Sequence, residues 1–285
     1  METYNRYRPV LFFVTAYLVT WIPWAIGAYV GSRKGLEAYA FLFNLVGLLG
    51  PMAVALFLVM TSASKALKTD FGNRLFNLRR VRPIYAIVAV AMPFIVILLS
   101  IWLSLWFDQS TDQFGFSGGA NLLAMIIIAM VLAPIMEEIG WHGYGVDSLR
   151  ATAGMLKSTL LFGVLWAVWH APLILISGTY QNQIARMDSP VYLINFFISI
   201  VPAAFIANWL YYKNRRSIPA AILFHSMLNA AAVLVNAGQG AKCIATLLYA
   251  IVAGAIVAVD RAAFREGPRD FVHGDPDPMK AEHRP

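Results

Sequence analysis

The chain has 285 residues, of which 59% are hydrophobic and 13% charged, and its formal net charge is +7. Soluble domains carry about 25% charged side chains, so this composition excludes an ordinary soluble enzyme and fits a chain whose solvent is mostly lipid. The single cysteine, Cys243, excludes an internal disulfide and a cysteine-built zinc cluster, which leaves His, Asp and Glu as metal ligands.

An apolar run of about 20 residues is needed to cross a hydrocarbon core about 30 Å thick. Eight such runs are predicted, over residues 10–30, 39–60, 83–107, 121–140, 158–176, 191–211, 218–235 and 243–259. Arg6 and Arg8 precede the first as they would in a signal peptide. Its apolar stretch is too long for an ordinary signal and no small-residue cleavage site closes it, so it reads as a retained membrane helix. The expected fold is all-α and polytopic, a conical or bundled core of about eight transmembrane helices enclosing a polar cavity. Residues 1–260 read as a single transmembrane domain, and residues 261–285 as a polar, disordered cytoplasmic tail.

With the N-terminus placed in the cytoplasm, eighteen Lys and Arg fall in cytoplasmic segments and four, Arg33, Lys34, Arg186 and Lys242, in outside loops. This positive-inside asymmetry sets the orientation, and the even helix count returns the C-terminus to the cytoplasm. The basic charge is thereby explained without nucleic acid, although the bases between Lys65 and Arg82 can also meet anionic lipid headgroups.

Charged groups at the bilayer centre cost about 2.5–3.5 kcal/mol on insertion scales, so those found there face a protein interior and usually act. Glu137 and Glu138, in PIMEEIGWHGYG of the fourth run, are the acids that stand out. Two adjacent acids near a helix C-terminus face the unfavourable end of its dipole and need compensation. The fifth run carries His170, and the seventh carries His225 and Asn229, four residues apart and therefore on one helical face. At 1.5 Å per residue Glu137 lies about 24 Å along its run, on the cytoplasmic side. His225 and Asn229 come about 10–17 Å, and His170 about 18 Å, from that same face. A shared polar cavity in the cytoplasmic half is therefore geometrically allowed.

Two mechanisms fit these residues. A carboxylate beside a histidine takes a proton from water, and a His and Asn donate to the oxyanion formed on a carbonyl. Alternatively His170, His225 and Glu137 form a catalytic zinc set with the second Glu as base; without an HExxH segment, an ordinary zincin is excluded.

These residues resemble the type II CAAX prenyl protease family, also called CPBP or Abi intramembrane proteases. Its pattern joins a Glu-Glu-x-x-x-Arg helix, a Phe-x-x-x-His helix and a His-x-x-x-Asn or Asp helix. Glu137 and Glu138 match the first, His170 the second, and His225 with Asn229 the third, with the resemblance covering residues 121–235. Position 142 is His where the family usually has Arg, and Trp166 stands where Phe is usual.

The resemblance implies an intramembrane endopeptidase. Glu137 and His170 would activate water, His225 and Asn229 would stabilise the oxyanion, and Glu138 would pair with His142. It further implies a membrane-associated peptide or protein substrate, lipidated in the eukaryotic class, and leaves zinc as an open alternative to metal-free water activation. Two other classes compete: a noncatalytic immunity or scaffold protein of the same fold, and a proton-coupled transporter. The transporter class would favour inverted repeats or paired broken helices, which the sequence does not display.

Overall fold

The computed structural model describes residues 7–107, 109–116, 118, 123, 126–269 and 271. The start of the fourth apolar run and most of the tail, including everything beyond 271, lie outside the described residues. Among the described residues the fold is helical, with no strand and one isolated bridge between Phe116 and Val235.

Helix α1 covers Pro9–Gly31, and α2 (Glu37–Leu48) and α3 (Gly50–Thr61) form one span interrupted at Leu49. A short α4 (Lys65–Phe76) is capped by Ser64, whose hydroxyl accepts from the Leu67 amide, and α5 (Pro83–Ser104) follows. The fourth span, Ile126–Arg150, opens with a π-helical segment Ile126–Leu132 and continues as α6 (Ala133–Gly140). It then passes through a π-helical turn, Trp141–Gly145, into α7 (Val146–Arg150). Helix α8 (Met155–Trp169) leads into a 3₁₀ turn, Ala171–Leu175, and the short α9 (Tyr180–Ala185). The last elements are α10 (Pro190–Lys213), α11 (Ile218–Leu234), α12 (Gln239–Val259) and α13 (Arg261–Arg265).

Seven of these spans are long and apolar enough to cross a membrane, and α11, with 17 residues, is a shorter apolar helix. Proline in the first turn of α1, α3, α5, α6, α10 and α11 fits a position whose amide needs no intrahelical partner. Exposed large hydrophobics such as Ile22, Phe57, Ile87 and Ile251 cover the outer faces, as lipid requires.

The fourth run is predicted to end at Gly140, but the helical path continues ten residues further, to Arg150. The glycines of WHGYG look like a stop, yet a π-turn keeps the backbone hydrogen-bonded while widening the helix. Glu137 consequently falls near the middle of its span rather than near its cytoplasmic end, a correction to the depth expected from the sequence.

Two apolar clusters organise the core. One gathers α1, α3, α4, α8 and the residues around Trp141; the other gathers α5, α10, α11 and α12. Helix α6 lies at their seam, packed on α3 and on α11.

Candidate active site

A buried carboxylate is costly unless donors surround it, and Glu137 and Glu138, 4% and 1% exposed, both have them. As neighbours on α6 they project about 100° apart and so meet different partners. Oε2 of Glu137 accepts the indole N–H of Trp166 at 2.9 Å and that of Trp141 at 3.3 Å. Its Oε1 takes no hydrogen bond from a described residue. Oε1 of Glu138 accepts from His225 Nδ1 at 2.7 Å, and its Oε2 pairs with His142 Nδ1.

His142 is fully buried between the rings of Phe162 and Tyr211, with centroids 5.7 and 4.8 Å away. Its Nε2 lies 3.0 Å from Oδ1 of Asn208, whose Nδ2 donates to Thr159 Oγ1 at 3.0 Å. Both ring nitrogens thus have polar partners in the interior.

His170 occupies the C-cap of α8, where Pro172 stops the helix from continuing. Its Nδ1 donates to the Trp166 carbonyl at 2.8 Å. A carbonyl only accepts, so Nδ1 carries a proton; Nε2, which holds the lone pair in the neutral ring, is engaged by no described residue. Trp166 is the hub of the constellation. Its N–H holds Glu137, its carbonyl holds His170, and its ring centroid lies 5.3 Å from that of His225 and 6.3 Å from that of His170.

Glu137, Glu138, His142, His170 and His225 are therefore brought together. Asn229, one turn beyond His225, donates through Nδ2 to the Ala129 carbonyl at 2.6 Å, which ties α11 to the π-helical segment. No hydrogen bond joins it to the other five. Among the described residues no three His, Cys, Asp or Glu side chains converge on a position that could hold a metal ion. His170, His225 and Glu137, the set considered for zinc, form no such group, and the hydrogen bonds described engage Nδ1 of each imidazole and Oε2 of Glu137.

The cavity of about 700 Å³ lies elsewhere, at the basic end of the bundle, lined by none of these residues. Between the two runs a buried ion-pair network that the motifs do not include. Arg216 grips both oxygens of Asp70 at 3.0 Å and meets Asp147 at 2.5 Å. Arg74 meets Asp70 at 2.7 Å and donates to the His142 and Gly143 carbonyls at 3.0 and 2.9 Å, pinning the π-turn. Burial alone would raise the Asp70 carboxyl, but the Arg74 and Arg216 guanidiniums hold it below the usual carboxylate range.

The indoles of Trp141 and Trp166, with Asn208 and Thr159, are hydrogen-bonding neighbours of these residues to which the sequence assigned no such contact, Trp166 standing there only as an aromatic in place of Phe. Trp141 carried one usable signal, its place four residues after Glu137 on the same helical face.

Residues 119–231 match a family described as type II CAAX prenyl endopeptidase Rce1-like, and this stretch holds all six residues of the motifs. The chain is also similar to CAAX prenyl protease 2 of Methanococcus maripaludis, 39% identical over 265 residues that span 92% of this chain and 97% of that protein. Likeness at that level over nearly the whole of both sequences, with the motif residues gathered around Trp166, means that this chain belongs to the Rce1-like type II CAAX prenyl endopeptidase family.

Proposed function

We propose that the protein hydrolyses a peptide bond of a membrane-associated substrate, of the prenylated CAAX class that its relative's name describes, using water activated by Glu137 and His170. The observation that carries this reading is the grouping on Trp166, which leaves Glu137 Oε1 and His170 Nε2 without a partner among the described residues while fixing the rest of each side chain. Water held between them gives up a proton as its oxygen attacks the scissile carbonyl. His225 Nε2, when that ring carries both protons, and the second amide hydrogen of Asn229 are the donors offered to the oxyanion. The proton first taken from water goes to the leaving amine as the C–N bond breaks. Glu138 touches no substrate in this scheme; it orients His225 and balances His142. No step is routed through a metal.

Purified Glu137→Gln and His170→Ala, assayed on a prenylated peptide ending in a free CAAX carboxylate, test the reading. General acid–base groups contribute about a hundredfold to ten-thousandfold, and a loss in that range is expected with unfolding midpoints unchanged. Near-parental turnover in either variant removes that residue from the mechanism. Near-parental turnover in both moves the chemistry to other residues, whereas no turnover by the parent itself favours a noncatalytic member of the fold.

A further inference from the structure

The cavity of about 700 Å³ at the basic end of the bundle is a half-open recess between α4, the end of α10 and the segments beside them. Eight Lys and Arg side chains line it against three carboxylates, and all three carboxylates are already engaged. Asp70 holds Arg74 and Arg216, Asp260 holds Lys213 at 2.6 Å, and Glu266 holds Arg150 at 3.1 Å. Lys65 and Arg80 have no carboxylate within ion-pair distance among the described residues. Arg80 is the more telling of the two. One terminal nitrogen donates to the Arg215 carbonyl at 2.6 Å, while its Nε is buried without a hydrogen-bond partner. Arg80 as a whole is half-buried and lines the cavity, where an anion would supply the counter-charge it lacks among the described residues.

The shape of the neighbouring surface narrows the class of anion. Trp209, Lys213 and Asp260 line both this cavity and an adjoining groove of about 520 Å³. The remaining wall of that groove is Tyr85 of α5 and an apolar face of α12 that includes Ala255 and the 89% exposed Val259. A polar, cation-rich recess at the helix ends thus opens onto an apolar channel between membrane-spanning helices. Basic pockets in that position suit anionic lipid headgroups.

The geometry points to a bound anionic phospholipid, with its phosphate in the cavity against Arg80 and Lys65 and an acyl chain in the groove along α12. A soluble phosphate would share the headgroup chemistry and leave the groove empty. The site lies apart from the Trp166 constellation, so it stands independently of the proposed hydrolysis.

Native mass spectrometry of the full purified chain, mixed with phosphatidylglycerol or phosphatidylcholine of matched chain length, tests it. Preferential retention of phosphatidylglycerol is expected. Lys65→Gln and Arg80→Gln should each lower that retention about fivefold, the worth of one base near an anionic headgroup. Ala255→Trp, which fills the groove from an exposed position, should lower it as well. Lys65 is exposed and outside every ion pair, so its variant reports binding even where Arg80→Gln fails to fold. Equal retention of the two lipids overturns the proposal, as does phosphatidylglycerol retention unchanged in Lys65→Gln and Ala255→Trp. Displacement of the lipid by inorganic phosphate alone would assign the cavity to a soluble anion instead, and displacement by an equimolar prenylated peptide would assign it to substrate.

Discussion

Glu138 sits between two imidazoles, and its 1% exposure means that removing either leaves charge with little water to replace it. Taking one partner from a buried pair costs about 3–5 kcal/mol. Because His225 remains, His142→Ala is expected at the low end of that range. His142→Arg places a cation beside Glu138 but must fit between Phe162 and Tyr211, an overpacking that costs about 1–3 kcal/mol. Unfolding midpoints in detergent should therefore rank parent, His142→Arg, His142→Ala; an alanine variant as stable as the arginine one would sink the pairing argument. Asp70 gives a prediction in pH. A folded carboxyl held below its unfolded value contributes stability above that value and loses it as pH falls. The parent should accordingly weaken from pH about 4 downward. Asp70→Asn should have lost about 3 kcal/mol already at neutral pH and show a flatter acid limb. A parallel acid limb in the variant would show that Asp70 is not the group responsible. Glu137, Glu138, His170 and His225 could be read from sequence because titratable groups within apolar runs are rare. Trp141 and Trp166 could not, because an indole in an apolar helix looks like packing until its N–H is seen aimed at a carboxylate. Arg74 and Arg216 carried a topology signal that concealed their buried pairing.

Helix positions followed from apolar run length wherever the chain leaves lipid through polar loops, as for Pro9–Gly31 and Pro83–Phe107. They failed where a helix changes its winding. The π-turn Trp141–Gly145 continues the helical path through small and polar residues, and Arg74 binds its carbonyls, a long-range contact invisible in local sequence. Close approach of helices explains one glycine beside the site. A Cβ on Gly140 would stand 2.4 Å from the Pro51 carbonyl carbon and 2.6 Å from its oxygen, so α3 and α6 could not keep their spacing. Gly140→Ala is expected to destabilise by about 1–3 kcal/mol. It should also slow cleavage, since Glu137 and Glu138 ride on the displaced turn. Gly72 in α4 is the control, because a Cβ there meets nothing within 4 Å. Gly72→Ala should stabilise by about 0.5–1 kcal/mol through helix propensity. Thermal unfolding of the two variants reads the contrast, and a Gly140→Ala midpoint at or above the parent's would mean that the α3–α6 contact yields freely.

Over the whole molecule, the loops that the charge count assigns to one side do meet in space. Arg80 reaches the Arg215 carbonyl, the Arg82 amide donates to Asn214, and Arg150 pairs with Glu266, while at the opposite end Gly238 donates to Gln113 and Tyr180 to Gln239. The alternation of spans is thereby consistent along the described chain, and the compartment each end faces is the remaining question. Some basic residues are withdrawn from that decision. Arg74, Arg150, Lys213, Arg216 and Arg269 are committed to carboxylates. Setting those five aside leaves thirteen Lys and Arg on one side against four on the other. The positive-inside rule counts Lys and Arg near span ends and gives little weight to acids, so the asymmetry survives. The basic end, with the cavity and the loop between α3 and α4, is therefore predicted to face the cytoplasm. Cysteine labelling in sealed vesicles of known orientation decides it, with Cys243 first replaced by Ser. Ala63→Cys, in the exposed loop before α4, should react only with reagent on the cytoplasmic side, and Lys34→Cys, in the exposed loop after α1, only with reagent outside. The reverse pattern would invert the molecule and put the cavity on the other face of the membrane. Because Glu137 lies near the middle of its span, its depth alone does not decide the side from which substrate enters, so that inversion would leave the proposed chemistry standing.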